Sequence, residues 1–542
     1  MVAVSLHNVI FSWQYDVTTE GIRRTATDDT AESHDLRLKR IDYVLLLVLG
    51  ALAVLGVFNL SQRALQEVAV RDVAPETRDI DPHSVAVLPF ENVSPDTTEQ
   101  YFVSGMYDSL ISNLGKINDL RVTSRTSATR VNTSQGLPYV GRKLGVANVI
   151  EGTVFRNGNR VRISVKLIDA ASDQHIWSET YERAFDDVMA IQASVARTVA
   201  RVVEARLTAQ DEDQIARILE IRPETFEAYL RAMFQYQKET QEGYQEGITI
   251  LEEALANDPT SALAHAALGQ GYMELVHSVL PRMEAIKRGR AAIEKAVELD
   301  PTLAEAHLAL GLLQFYGDWD FEAAKLSLQQ ALNLNPSLSD AWYHWAWWLE
   351  LMGDDGEAIA AGEKTIELSP LSSFYVAWLA DQYRDAGQYG KAVELAESVL
   401  ALNPNYPVGW FVLGNVFAEQ DKFEDAISAH GHLEDIPFWA WALATTYARA
   451  GQPEKALEIA ETYESRASNA IPLAAIHAAL GDVDQTVYWS QQAREKKLPW
   501  ALGLFSFFTP TRSLHEDPRI QAEAALYPTP LIPFPKTGVT PD

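Results

Sequence analysis

Three places in the sequence gather residue types that can do chemistry. Asp186 and Asp187 are adjacent carboxylates of the kind used in acid–base catalysis, but they precede a helical segment, where two acids more simply favour the positive end of its dipole. Gly105 to Lys116, GMYDSLISNLGK, superficially matches a phosphate loop. It lacks the four-residue gap and the closing Gly-Lys-Ser/Thr through which backbone amides cradle a phosphate, and it falls within an amphipathic helical pattern. The third is a set of aromatic, amide and charged residues recurring along a series of helices: Tyr343, Trp347, Asp381, Arg384, Phe411, Asn415 and Trp441. Aromatic anchors beside Asn and charged groups suit the capture of a peptide, whereas the same aromatics can also serve only to fill gaps between helices.

No metal, cofactor or catalytic residue set is expected. The twelve histidines show no ligand spacing, and His265 and His307, at equivalent places in successive helices, read as packing residues. HExxH, nucleophile-elbow, dinucleotide-fingerprint and EF-hand motifs do not occur. The sequence has no cysteine, which excludes disulfides, thiolate zinc sites and a Cys nucleophile. The chain is therefore read as non-enzymatic.

The helices that carry the third set repeat. Prolines fall at 259, 301, 336, 370 and 404, and alanines at 324, 358, 392 and 426, with three consecutive spacings of 34. Small residues at Gly269, Gly311, Ala346, Ala380, Gly414 and Ala444 let paired helices approach, and each follows a large residue: Leu268, Leu310, Trp345, Leu379, Leu413 and Leu443. In DAWYHWAWWLE, Trp342 and Trp345 match interior places, while Tyr343 and Trp347, four apart, fall on the groove face. ALAHAALGQGYMEL, VGWFVLGNVFAEQDKFEDAI and WALATTYARAGQPEKALEIA resemble the tetratricopeptide repeat, which implies about seven repeats and a partial one over residues 223–497 and a concave partner-binding groove. The connection between Tyr272 and Arg290 is longer than its equivalents, and the repeat after Pro404 is shortened near Gly431 to Asp435. Residues 498–542, with PWALGLFSFFTPTRSLHEDPRI, are expected to cap the last repeat and end in a tail.

Residues 84–207 read as a small α/β domain. SVAVLPF predicts a buried strand, Tyr101 to Leu114 a helix, Leu120 to Thr123 a second strand and Pro138 to Leu144 a short helix. Asn157-Gly158 signals a hairpin, HIWSETYER a further strand, and a helix is expected from about Asp187 to Thr208. SVAVLPFENVS, YFVSGMYDSLISNL, GRKLGVANVIEGTV, RVRISVKLIDAASDQHIWSETYER and DVMAIQASVA together resemble the TolB amino-terminal-like domain, related to the FlgO type. The resemblance implies a partner-binding domain without catalytic activity.

Tyr43 to Phe58 is a run of sixteen uncharged residues, and residues 43–60 are expected to form a transmembrane helix. Arg23, Arg24, Arg37, Lys39 and Arg40 precede it, against Arg63, Arg71 and Arg78 behind it. That bias favours a cytoplasmic N-terminus and periplasmic C-terminal domains at a bacterial inner membrane. Residues 61–83 read as a linker. Residues 1–42 read as a short cytoplasmic segment; TTEGIRR within it resembles a juxtamembrane sequence of bacterial membrane proteins, which implies a late start at Met1, and a plain tail is the other reading.

The formal net charge is −29 over 542 residues. Residues 1–83 carry 8 basic and 12 acidic side chains, residues 84–207 carry 14 and 13, and residues 208–542 carry 23 and 49. This acidity disfavours nucleic acid, whose affinity rests on Lys and Arg, and favours protein or peptide partners with basic segments. The expected fold class is thus a transmembrane helix, an α/β domain and an all-α tetratricopeptide solenoid. The expected function is a membrane-anchored scaffold in an envelope or signalling assembly, the alternative being the sensory half of a signalling protein whose winged-helix or cyclase effector is absent or separately encoded.

Overall fold

A computed structural model describes residues 15–18, 21–24, 80–95, 99–238, 240–275, 282–463 and 469–534. It divides into two units, Met1–Val68 and Ala69–Asp542. In the first, β1 (Tyr15–Thr18) and β2 (Gly21–Arg24) pair antiparallel with Thr18 opposite Gly21.

The second unit begins with a mixed sheet in the order β5-β3-β6-β7-β8: β3 (Ser84–Val87), β5 (Arg121–Val122), β6 (Asn148–Asn157), β7 (Arg160–Asp169) and β8 (Gln174–Ala184), with β4 (Glu91–Asn92) beside β6. The alternation in β7 turns Val161, Ile163, Val165 and Leu167 onto α1 (Gln100–Gly115) and α4 (Val188–Val202), whose Phe102, Met106, Leu110, Val195 and Val199 complete that layer. Ala86, Leu88, Val149 and Ile168 face the other way, onto Leu137, Val140 and Leu144 of α3 (Leu137–Leu144). The hairpin differs from the expectation by one residue. Asn157 pairs with Arg160, so the turn residues are Gly158 and Asn159, and Gly158 takes the positive φ of 58° that such turns need at their first position. The expected helix to Thr208 stops at Val202, because Glu204 adopts φ 61°. Thr208 instead starts a new helix, α5 (Ala209–Arg217), through a reciprocal capping box with Asp211.

From Pro223 to Glu495 the chain forms eight antiparallel helix pairs, α6 to α21: Pro223–Tyr236 with Gln241–Asn257, Ala262–Leu275 with Arg282–Leu299, Ala304–Leu312 with Phe321–Leu334, Ser339–Leu351 with Asp355–Leu368, Ser373–Asp385 with Tyr389–Leu402, Pro407–Glu419 with Phe423–Gly431, Trp441–Arg449 with Pro453–Tyr463 and Ala470–Ala479 with Val483–Glu495. Ala324, Ala358, Ala392 and Ala426 are all buried at the pair crossings. The inter-repeat prolines have a second use. His265, His307, Trp342 and Trp410, each six residues after its proline, place a ring nitrogen 2.7–3.1 Å from that proline's carbonyl, so the two histidines are turn-closing residues. In the third pair the first helix ends in a π-helical turn, Leu313–Asp318, closed by Trp319 at φ 63°; no residue pattern announced it.

The α/β layer lies against these inter-repeat turns. Val122 N–H donates to Ser337 Oγ (3.0 Å), Ser124 N–H to the Leu368 carbonyl (2.8 Å) and Leu371 N–H to Ser127 Oγ (2.9 Å), which closes the β5 edge of the sheet. Gly105 sits where α1 crosses α6: a Cβ there would lie 2.6–3.0 Å from the Leu230 side chain, a packing reason for the glycine that owes nothing to phosphate. Asp186 and Asp187 are exposed in the turn before α4.

One expectation is corrected. Among the described residues no helix is long and apolar enough to cross a membrane, and the expected span 43–60 lies outside them. The described fold is therefore a small sheet region followed by a helical solenoid, and the single-pass inner-membrane placement has no supporting helix in it.

Gly414 tests the close packing of these pairs. Its Cβ position is occupied by the ring of buried His430, itself held 2.7 Å from Thr446 Oγ1 and 3.2 Å from the Phe411 carbonyl. Gly414→Ala is expected to destabilise the protein by about 1–3 kcal/mol, read as a lowered midpoint in thermal unfolding.

Candidate partner-binding groove

The first helices of the fourth to seventh pairs, α12, α14, α16 and α18, line the inner face of the solenoid. All seven residues singled out from the sequence lie on them, and five are buried: Trp347, Asp381, Arg384, Phe411 and Trp441. Tyr343 and Asn415 are half-buried. What covers them is the chain's own C-terminal segment. This segment was expected to cap the last repeat; its helices Thr509–Arg512 and Pro518–Ala524 do pack on the eighth pair, and its aromatics also run back along the inner face. Trp500 meets Trp347 edge-on at 4.9 Å and Trp378 at 5.4 Å. Phe507 stacks on Trp347 at 6.1 Å, and Phe508 packs on Trp441 at 5.2 Å. Phe505, Phe507 and Phe508 are buried, worth about 1.5–3 kcal/mol each.

The segment continues beyond these contacts. Arg494 holds Glu523 at 2.8 Å, Tyr527 donates to the Ser490 carbonyl (2.7 Å) and stacks on Trp319 at 5.7 Å, and Lys497 Nζ donates to the Asp318 carbonyl (2.8 Å). It thus ties the last helix pair to the third across the inner face.

Beneath the aromatics lies a buried charge cluster. Arg384 binds Asp381 through Nε at 2.6 Å and Glu419 through Nη1 at 2.7 Å, with Asp385 3.7 Å away and the Phe507 ring 5.3 Å from its guanidinium. Arg512, from α22 (Thr509–Arg512) of the C-terminal segment, is fully buried; it pairs with Asp385 and donates to the Ile532 and Pro533 carbonyls. Thr509 donates to Glu419 at 2.6 Å. Three carboxylates thus face two guanidiniums. Burial pushes the Asp381 carboxyl up, against the pull of Arg384 and with the repulsion of Asp385 and Glu419. Burial also works against the charged form of Arg384, but the attraction of Asp381, Glu419 and Asp385 outweighs it and holds Arg384 well above the usual range. The space left between Arg384, Asn415, Trp441 and Phe508 is a cavity of about 20 Å³, room for one water.

The structure therefore brings Asp381 and Arg384 into direct contact, joins Tyr343 to Trp347 (6.5 Å) and Phe411 to Trp441 (5.7 Å), and sets Asn415 beside the cavity. Sequence reasoning missed Trp378, Asp385, Glu419 and Arg512. Asp385 and Glu419 were findable, since they stand one 34-residue period apart at the inner end of their helices. Arg512 carried no such signal, because it follows the periodic region. Among the described residues no group of three or more His, Asp or Glu is placed to hold a metal ion.

Comparison with known proteins assigns the two regions separately. A family described as HilA/YgeH-like transcriptional regulator, second domain, matches residues 81–198, and a tetratricopeptide repeat family matches residues 374–416. The second match places a tetratricopeptide repeat over the fifth helix pair and the start of the sixth. The resemblance of residues 84–207 to the TolB amino-terminal-like domain has no counterpart in these matches. A curated relative, putative adenylate cyclase 3 of Rhizobium meliloti (strain 1021), is 34% identical over 186 residues, which are 34% of this chain and 32% of the relative; the chain spans about a third of that protein's length. Solved structures with similarity include MamA (30% identity, TM-score 0.25, 32% of this chain and 91% of that one) and the type IV pilus biogenesis factor PilW (17%, 0.29, 48% and 97%). A third is YrrB, described as a TPR protein with an unusual peptide-binding site (18%, 0.28, 34% and 91%).

Arg512→Ala strands Asp385 in the interior with a weaker partner, and is expected to cost about 3–5 kcal/mol. The double variant Arg512→Ala/Asp385→Ala should cost less than the sum of the two single changes by at least ~1 kcal/mol, measured by denaturant unfolding. Additive costs would show that Arg512 is held by its backbone partners alone.

Proposed function

We propose that this chain is a non-enzymatic interaction module of a signalling assembly. Its tetratricopeptide inner face takes a protein partner in competition with the chain's own residues 499–534, and the α/β layer fixes the geometry of the array. The observation that carries this reading is the occupant already in the groove. A segment with closely spaced aromatics and a buried arginine, Arg512, fills the aromatic wall and meets the acidic cluster, so a partner of the same chemistry, aromatic with a basic side chain, fits the same residues. Tyr343, Trp347, Asp381, Arg384, Phe411, Asn415 and Trp441 would form the contact. The strong acidity of the array supports a basic partner, with an attraction that weakens as salt rises.

A labelled synthetic peptide of residues 498–534 tests this. The wild-type chain, with its groove filled, should not capture it, whereas folded Arg512→Ala chain should. A peptide with Ala in place of Arg512 should bind at least tenfold more weakly. Failure of the Arg512→Ala chain to capture the peptide, with its circular dichroism unchanged, would refute exchange in the groove.

A second reading is that the module is the sensory half of a signalling protein. It is favoured by the match of residues 81–198 to a domain described from transcriptional regulators and by the relative described as an adenylate cyclase. Purification of the full chain from its native cells should then bring down a nucleotide-cyclase or DNA-binding polypeptide; its absence from a crosslinked preparation would remove this reading.

A further inference from the structure

The two edges of the sheet are treated differently. The β5 edge is closed by Ser337 and the Leu368 carbonyl of the array. The other edge is β8, eleven residues long, and all but Trp177 and Tyr181 are exposed. Its main-chain pairing is with β7, and among the described residues no other element hydrogen-bonds to its backbone along the outer side. A long open edge is a template for another strand. Neither proline nor lysine, the usual guards of such edges, occurs in it.

The regular part of β8 has a centre. Leu167 pairs with Trp177 and Ile168 with His175, so Ile176 is an extra residue at which the register shifts. Past Ala184 the chain turns into Phe185–Asp187. Between these limits Trp177 to Ala184 is an uninterrupted stretch of eight residues with Thr180 and Tyr181 in the middle.

We propose that β8 pairs antiparallel with β8 of a second copy of this chain, on a two-fold axis through Thr180. In that register Thr180 meets Thr180, Ser178 meets Glu182, Glu179 meets Tyr181 with Arg183 on the diagonal, and Trp177 meets Arg183, a cation–π match made twice by symmetry. Moving the axis by one residue to Glu179 would set two glutamates face to face, which is unfavourable. Residue parity is kept, so the two sheets join with the same faces aligned. Ser178, Thr180 and Glu182 share the solvent-facing side, opposite Lys166, Ser164 and Arg162 of β7.

Charge selects a second copy as the occupant. Residues 208–542 carry an excess of 26 acidic side chains, so two copies repel through their arrays, whereas residues 84–207 are within one charge of neutrality. Joining β8 to β8 makes a sheet ten strands wide whose β5 edges, where the turns flanking the fourth pair dock, stand about 40 Å apart at ~4.8 Å per strand, several times the ~8 Å Debye length at physiological salt; the first pair lies nearer, with Glu227 3.0 Å from Arg156. The turns before and after the fourth pair, docked on the β5 edges, are thereby kept apart while the near-neutral layers meet.

Thr180 is exposed and its side chain bonds only across the strand to Ser164 Oγ (2.9 Å), so charge can be placed there without disturbing the core. Sedimentation equilibrium of the full chain should give a species of twice 60.2 kDa. Thr180→Lys and Thr180→Glu should each raise the dissociation constant at least tenfold, by setting like charges across the axis. An equimolar mixture of the two should restore the dimer, and Thr180→Ser should leave it unchanged. A wild-type chain that stays monomeric at ~100 μM, or charged variants that remain dimeric, would overturn the proposal.

Discussion

Eight helix pairs stacked side by side leave one apolar surface that no pair can bury for itself, and covering that surface is the constraint on which the rest of this structure depends. Each pair packs on its neighbours, and their first helices turn Trp347, Trp378, Phe411 and Trp441 to a common inner face. In an open solenoid a ligand or solvent would meet these rings. Here residues 499–534 do so, and the eighth pair is tied back to the third through Tyr527 of that segment and through Lys497, just before it. Curvature, inner-face chemistry and the course of the C-terminal segment are therefore one problem with one solution. Eight pairs in series have few contacts between distant members; the returning segment adds those contacts and makes the array cooperative over more of its length.

The polar component of that covering is the more demanding one. Aromatic rings can pack in many arrangements, but buried carboxylates cannot be left unpaired. Asp381, Asp385 and Glu419 lie with at most 2% of their side-chain surface exposed, and Arg384 alone cannot satisfy all three. Arg512 is the second cation, and it comes from the segment that covers the groove. The segment is thus selected by charge as well as by shape: a hydrophobic stretch without an arginine in that place would bury the face and take from Asp385 its closest cation, leaving Arg384 at 3.7 Å. A buried ion network of this kind adds less net stability than its number of contacts implies, because desolvation offsets much of the attraction. What it contributes is discrimination between one docked register and others.

How much of this was legible in the sequence follows from the kind of signal each feature leaves. The repeats were legible because packing one helix pair on the next imposes the same small and large residues every 34 positions, and a period survives substitution at any single place. The order of strands and helices in residues 84–202 was legible for a similar reason, since alternation in β7 and helical spacing in α1 are local. Boundaries were read less well where one residue's conformation decides them. Glu204, at positive φ, ended a helix that Thr208 had been expected to end, and Thr208 opened the next. The π-helical turn at Leu313–Asp318 touches the C-terminal region at Asp318 and Trp319, and no residue pattern within the pair announces it.

The groove residues show the same division more sharply. Periodicity places Asp381 and Asn415 one repeat apart on the inner face, and the structure has them there, but periodicity is silent on what lies opposite. The partner of that face in this chain follows the last repeat, in a stretch without internal symmetry, and only its composition of tryptophan, phenylalanine and arginine matches what the groove needs. Composition alone fitted a cap on the eighth pair equally well. The two placements differ in the charge they satisfy: among the described residues the last helix pair offers no buried carboxylate comparable to Asp385, and Arg512 at 0% exposure finds its charged partner, Asp385, on the inner face. Had the buried acids at 385 and 419 been weighed together with the arginine that follows the repeats, charge balance would have indicated the returning path where hydrophobicity could not.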